Sequence, residues 1–309
     1  LAADEDAIPA IFADDSIFVG AKTGDGEWAD NEFVVGVEIN GDARAYPIRL
    51  MSQHELVNDN IGGQPVLISW CPLCFSAIVY DRLLEREMTF GVSGYLYFDN
   101  LVMYDHQTNT LWSQLLGQGI KGAMRHEQLQ GLPSMITTWA EWKQLHPDTR
   151  VLSAVQLGEN PEVVDPYNNY YQNGVAGITG QAVEDGRLSP KTLVIGLTAG
   201  KITRAYPLEQ LRESALLNDT LGNTPLLLLY DEAAKTAVVY QRDEGQVFVL
   251  ENGRLQDTAT GSTWDAKTGT AVDGELRDQQ LTRVSAPLVY WFAWSTLHQG
   301  SSIFPTQDE

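Results

Sequence analysis

Short apolar runs broken by glycine turns dominate this chain, and their spacing predicts strands far more often than helices. Phe33–Ile39 meets the turn Asn40-Gly41, and Arg44-Ala45-Tyr46-Pro47 closes what reads as a β-hairpin. Pro47 suits the first turn of a short helix, in which Ile48, Met51 and Glu55 fall at helical spacing with one polar intrusion. That helix is expected to end near Asn58-Asp59, read as a turn or helix-end device, before a glycine turn. Residues 65–70 and 77–80 then read as adjacent strands, and residues 89–92, 101–104 and 111–114 continue the β pattern. The segment W-A-E-W-K-Q-L-H closes the unit as a helix with Trp139, Trp142 and His146 on one face.

The same pattern then returns. Residues 36–82 set against 196–242 at a constant offset of 160 match Arg44-Ala45-Tyr46-Pro47 with Arg204-Ala205-Tyr206-Pro207 and Asn58-Asp59 with Asn218-Asp219. They also match Val79-Tyr80 with Val239-Tyr240 and Arg82 with Arg242. An offset of 152 pairs Trp112, Trp139, Trp142 and His146 with Trp264, Trp291, Trp294 and His298. Such self-similarity marks an internal duplication. Residues 1–155 form the first repeat, 156–191 a connection rich in Gly, Asn, Pro and Tyr, and 192–309 the second, degenerate repeat. The connection reads as a surface loop packed by its own tyrosines. The fold class expected is α+β, mostly β, with two pseudo-symmetric mixed-sheet halves and short helices in one compact body.

Length and charge narrow the function. A chain of 309 residues is one large domain or two fused units with a substantial core. The net charge of −21 repels phosphate backbones, so nucleic acid is not an expected partner; a metal ion or small molecule is. No apolar run approaches the roughly 18 residues of a membrane span. The opening L-A-A-D-E-D, beginning at Leu1, reads as what remains after a leader was removed. Two cysteines are too few for a disulfide-stapled fold, and their C-x-x-C adjacency points to chemistry.

The duplication supplies an internal control, because residues present in both copies read as scaffold and residues in one copy as candidates for function. His146 and His298 are expected as core or capping histidines beside their tryptophans. The first copy departs from the second at His54 (Ser214), Cys71 (Asp231), Cys74 (Ala234) and Met103 (Leu255). Thiolate, imidazole and thioether are soft ligands, so His54, Cys71 and Cys74, with Met103 as a weaker fourth, read as a metal site for copper first and zinc second. Glu55, Tyr95, Tyr97 and Asp105 are candidates for supporting those ligands. A metal-dependent copper oxidoreductase is one expectation from this set.

Two other readings stand beside it. A C-x-x-C loop can cycle between dithiol and disulfide without metal, although residues 75–80 after the motif read as a strand and not as the helix of a thioredoxin-like site. The protein can also be a ligand-binding module whose cysteines are structural.

The motifs V-G-V-E-I-N-G-D-A-R-A-Y-P-I-R, H-E-L-V-N-D, W-C-P-L-C-F-S-A-I-V-Y-D-R, T-F-G-V-S-G, L-V-M-Y-D and T-L-W-S-Q together resemble the family catalogued as domain of unknown function 3179, over residues 8–304. The resemblance covers His54, Glu55, Asn58, Asp59, Cys71, Pro72, Leu73, Met103, Tyr104, Asp105 and Trp112. It implies a bacterial or archaeal protein, often exported, and so an extracytoplasmic location; it brings no settled activity. Phe75 stands where the family usually has Gly, and His106 where it usually has Arg, which alters pocket shape and local charge.

Overall fold

A computed structural model describes residues 3–162, 164–251 and 253–305; the processed start read at Leu1 lies outside them. The chain is mostly β, with short helices and mixed sheets, as the pattern predicts. The hairpin Phe33–Ile39 with Asp42–Pro47 is flanked by Met135–Thr138, antiparallel, and Arg150–Leu152, parallel. A second sheet runs through Leu56–Ile61, Gln64–Cys71 and Ser76–Asp81, and a third through Phe90–Tyr97, Asn100–Asp105 and Leu111–Ser113.

The later part of the chain repeats these sheets in the same strand order. Leu193–Ala199 pairs with Ile202–Pro207, and Leu216–Leu221, Thr224–Asp231 and Thr236–Gln241 form the counterpart of the second sheet. Gly36 lies opposite Ala45 as Gly196 lies opposite Ala205. In both, a β-carbon on the glycine would sit 2.3 Å from an indole ring, Trp142 or Trp294, so only glycine lets the helix pack that closely on the strand. The apolar clusters cross between the parts: one joins Tyr46, Trp139 and Trp142 with Leu229 and Trp264, the other joins Cys71, Cys74, Met103 and Trp112 with Tyr290 and Trp294.

One expectation fails. Asn58-Asp59 is not a helix end: the helix Ile48–His54 stops earlier, and Glu55, with φ +59°, turns the chain into Leu56–Ile61. Turn propensity yields to buried hydrogen bonds. Asn58 Nδ2 donates to the Phe90 carbonyl and its Oδ1 accepts the Phe90 N–H, both at 2.8 Å, tying the second sheet to the third; Asn218 repeats this on Phe248 at 2.8 and 2.9 Å. Asp59 accepts Arg44 Nη1 at 2.7 and 2.9 Å and the Tyr46 hydroxyl, fastening the hairpin to the strand. Arg204 and Tyr206 hold Asp219 alike. His146 and His298 cap their helices and lie against Trp142 and Trp294, with ring centroids 4.2 and 3.9 Å apart.

Removing Asp59 leaves Nη1 of a buried guanidinium without its partner, although Nη2 keeps Asp15 and Asp42, and breaking a fully buried pair costs about 3 kcal/mol. Arg44 and Asp59 are more deeply buried than Arg204 and Asp219. Urea unfolding is therefore expected to show Asp59→Ala losing about 3 kcal/mol and Asp219→Ala about 1 kcal/mol; equal losses would contradict the burial argument.

Candidate functional site

Both cysteines sit at the tip of the hairpin made by Gln64–Cys71 and Ser76–Asp81, with Cys71 opposite Ser76 in the ladder. The strand expected after the motif is present, so the pair caps a hairpin and does not open a helix. Between the strands the chain turns through Pro72 to Phe75, whose N–H donates to the Pro72 carbonyl at 3.3 Å. Phe75 adopts φ +51°, a region where a β-carbon crowds the backbone; Lys235 at the corresponding turn has φ +54°. The turn imposes that dihedral whatever the side chain. The Phe75 ring is held by Trp70, Tyr290 and Tyr171, at centroid distances of 5.3, 5.4 and 5.6 Å.

Cys71 and Cys74 are free and buried, with their sulfurs 2.8 Å apart. Asn100 orients the second sulfur: its Nδ2 donates to Cys74 Sγ at 3.0 Å while its Oδ1 accepts the Leu115 N–H at 3.1 Å. Burial, and then the adjoining Cys71 sulfur, hold the Cys74 thiol well above the ordinary cysteine range. Cys74 therefore keeps its proton at neutral pH. Its carbonyl accepts the Tyr290 N–H at 2.8 Å, so the later part of the chain braces the loop.

The helix end brings Glu55 to the same region. Burial raises its carboxyl to about 7, opposed by a hydrogen bond with Tyr167. Tyr167 is bonded to Glu55 and near enough to Cys71 for the sulfur's charge, after burial and Glu55, to help raise its hydroxyl. A carboxyl pushed up to about 7 is thus linked to the dithiol through Tyr167. The connecting segment covers both: Tyr170 donates to the Leu73 carbonyl at 2.8 Å and accepts the Gly177 N–H at 2.9 Å. Asp99 Oδ1 clamps the segment through the N–H groups of Ile178 and Thr179, at 2.8 and 2.6 Å.

Of the other residues singled out from the sequence, Met103 joins the cysteines' apolar cluster, and the rest have partners of their own or lie on the surface. His54 is the last residue of its helix; Nδ1 lies 2.8 Å from the Pro9 carbonyl and Nε2 2.8 Å from Glu159 Oε1. Both ring nitrogens are therefore engaged, and a metal at either would displace that partner. Among the described residues, no group of three or more His, Cys, Asp or Glu side chains is gathered to hold a metal ion. Met103 is fully buried opposite Val92 and Trp112, in the apolar cluster that includes both cysteines. Asp105 organises a hairpin turn, accepting Thr108, Thr110 and the Trp112 indole, and Asp257 accepts Ala259 and Thr260 in the same way. Tyr95 and Tyr97 lie on the surface, 45% and 38% exposed, past the break in register after Val92.

Asn100, Tyr167 and Tyr170 complete the site without having been singled out. The run Y-N-N-Y-Y falls in the connection, which has no counterpart in the repeat, and that asymmetry is the signal that could have found the two tyrosines.

A family model described as "Protein of unknown function (DUF3179)" matches residues 5–301. No curated protein and no solved structure matches the chain.

A carboxyl held up to about 7 binds its proton more tightly folded than unfolded, so its stabilising contribution is complete below about pH 4.5 and is lost as the pH rises through 7. The displacement corresponds to about 3 kcal/mol. Urea unfolding between pH 4.5 and 7.5 is expected to show a fall in stability smaller by about that amount in Glu55→Gln; an unchanged slope would place the raised group elsewhere.

Proposed function

The chain belongs to the DUF3179 family of proteins of unknown function, and we propose that Cys71 and Cys74 form a thiol–disulfide redox centre. The observation that carries this reading is the pair of free sulfurs 2.8 Å apart at one braced hairpin tip, joined through Tyr167 to a carboxyl that burial pushes up to about 7. With a low-molecular-weight disulfide as oxidant, the thiolate of Cys71, the less buried sulfur, attacks one substrate sulfur. A mixed disulfide forms, and the departing substrate thiolate takes up a proton. Cys74 then loses its proton, attacks the Cys71 sulfur and releases the second substrate thiol, leaving a Cys71–Cys74 disulfide. Two electrons pass to the substrate, and both protons end on its sulfurs. In this reading Glu55 accepts and returns the Cys71 proton by way of Tyr167, which is bonded to Glu55 and lies near Cys71. The tyrosine-bearing connection must move for a substrate to enter. An extracytoplasmic setting belongs to the same proposal and would favour the disulfide at rest.

A copper or zinc ion on the same thiols is the second reading, favoured by Met103 in the apolar cluster that holds them. It requires the sulfurs to separate and His54 to leave Pro9 or Glu159. The ion would supply a soft acid for the two thiolates.

Thiol titration of unfolded protein, taken from oxidising and then reducing glutathione buffers, is expected to move reversibly between zero and two thiols. Glu55→Gln is expected to slow disulfide formation about tenfold or more, as loss of a general base does. Thiols that never oxidise reversibly would sink the redox reading. Elemental analysis of untagged protein separates the second reading: near-stoichiometric copper or zinc, absent from Cys71→Ser, supports it, whereas equal traces in both proteins end it.

A further inference from the structure

Two cavities lie between the earlier and later parts of the chain, and the repeat offsets carry one onto the other. The first, of about 420 Å³, is walled by Trp142 and His146 on one side and by Lys267, Gln280 and Arg283 on the other. The second, of about 450 Å³, has Trp294 and His298 facing Leu115, Gln128 and Gly131 at the matching positions. Tryptophan, histidine and glutamine are kept. The two cations are not: Lys267 corresponds to Leu115, and Arg283 to Gly131.

The two cations are also unequal. Lys267 is neutralised by its ion pair with Glu141 and lies 3.7 Å from Asp231. Arg283, on Thr282–Arg283 opposite Tyr240, is half-buried, and its hydrogen bond runs to the Met135 sulfur at 3.3 Å, a weak acceptor. Among the described residues, no carboxylate lies within ion-pair distance of it. Burial lowers its pKa, as it must for a cation withdrawn from water without a counterion. Glu38 is the acidic residue lining this cavity, and its Oε1 is turned to the Gly41 N–H at 2.5 Å. In a chain of net charge −21, an arginine left unpaired inside a cavity is unusual.

We propose that this cavity binds a small organic carboxylate, whose two oxygens take the free N–H groups of Arg283 while its apolar body lies against Leu145 and Pro133. The planar guanidinium fork matches a carboxylate in two parallel charge-assisted hydrogen bonds, and the pairing offsets the desolvation of both ions. A phosphate carries more charge than the one unpaired cation balances. The cavity shares no lining residue with the dithiol, so this site stands or falls independently of the redox reading.

Calorimetric titration with benzoate, with inorganic phosphate as a second probe, tests the proposal. One saturable benzoate site is expected, weakened at least tenfold in Arg283→Gln. Arg283→Lys, which keeps the charge and loses the fork, is expected to weaken it by a smaller factor and carries the comparison if the glutamine variant fails to fold. Cys71→Ser is expected to bind benzoate as the parent does. Unchanged affinity in the arginine variants, saturation by phosphate but not benzoate, or no saturable binding would overturn the proposal.

Discussion

A buried arginine–aspartate pair, set down twice in the chain, organises everything else. Asp59 receives Arg44 and Tyr46 from the hairpin, and Asp219 receives Arg204 and Tyr206. Each carboxylate sits on a strand fifteen residues after its arginine, so pairing them folds the hairpin over the sheet that follows. The helix between them must then end abruptly. It does so at Glu55 and Ala215, both at φ +59°. That corner fixes where the next two strands run and therefore where the hairpin tip emerges.

The tip is where the two parts of the chain separate chemically. The later turn carries Asp231 and Ala234, with Asp231 Oδ1 accepting the N–H groups of Ala233 and Ala234 as in an ordinary turn. The earlier turn carries two thiols in a cluster closed by Tyr290 and roofed by Tyr167 and Tyr170. Glu55 occupies the position where Ala215 needs no partner, and burial alone makes its carboxyl responsive near neutral pH. One backbone thus carries a reactive pair at one turn and a plain turn at the other. The two cavities differ in the same manner, through Lys267 and Arg283 on one side only.

Much of the fold was legible because it is written in local repeats. Strand runs, glycine turns and R-A-Y-P recur at a fixed offset, and the helix W-A-E-W-K-Q-L appears at Trp139–Leu145 with His146 capping it. Asn58-Asp59 misled because side chains that favour turns also make good buried hydrogen bonds, and which they do depends on Phe90 and Arg44 arriving from other elements. Asp105 was singled out as a support for the sulfurs, and the pattern could not show that it also organises a turn. The Trp112 indole and the Thr108 hydroxyl that bond to it come to light only in the folded chain.

The sequence by itself determined the β-rich class, the doubled motif pattern and the singling out of Cys71 and Cys74, since periodicity and adjacency need no knowledge of distant contacts. Only the tertiary structure decided the company those thiols keep. His54 is satisfied by Glu159, 105 residues away, and Leu73 is covered by Tyr170, 97 residues away. Pairings across such distances follow from how sheets stack and where a connection lies. No local pattern encodes them, because the energy that selects them is the burial and hydrogen bonding of the assembled chain.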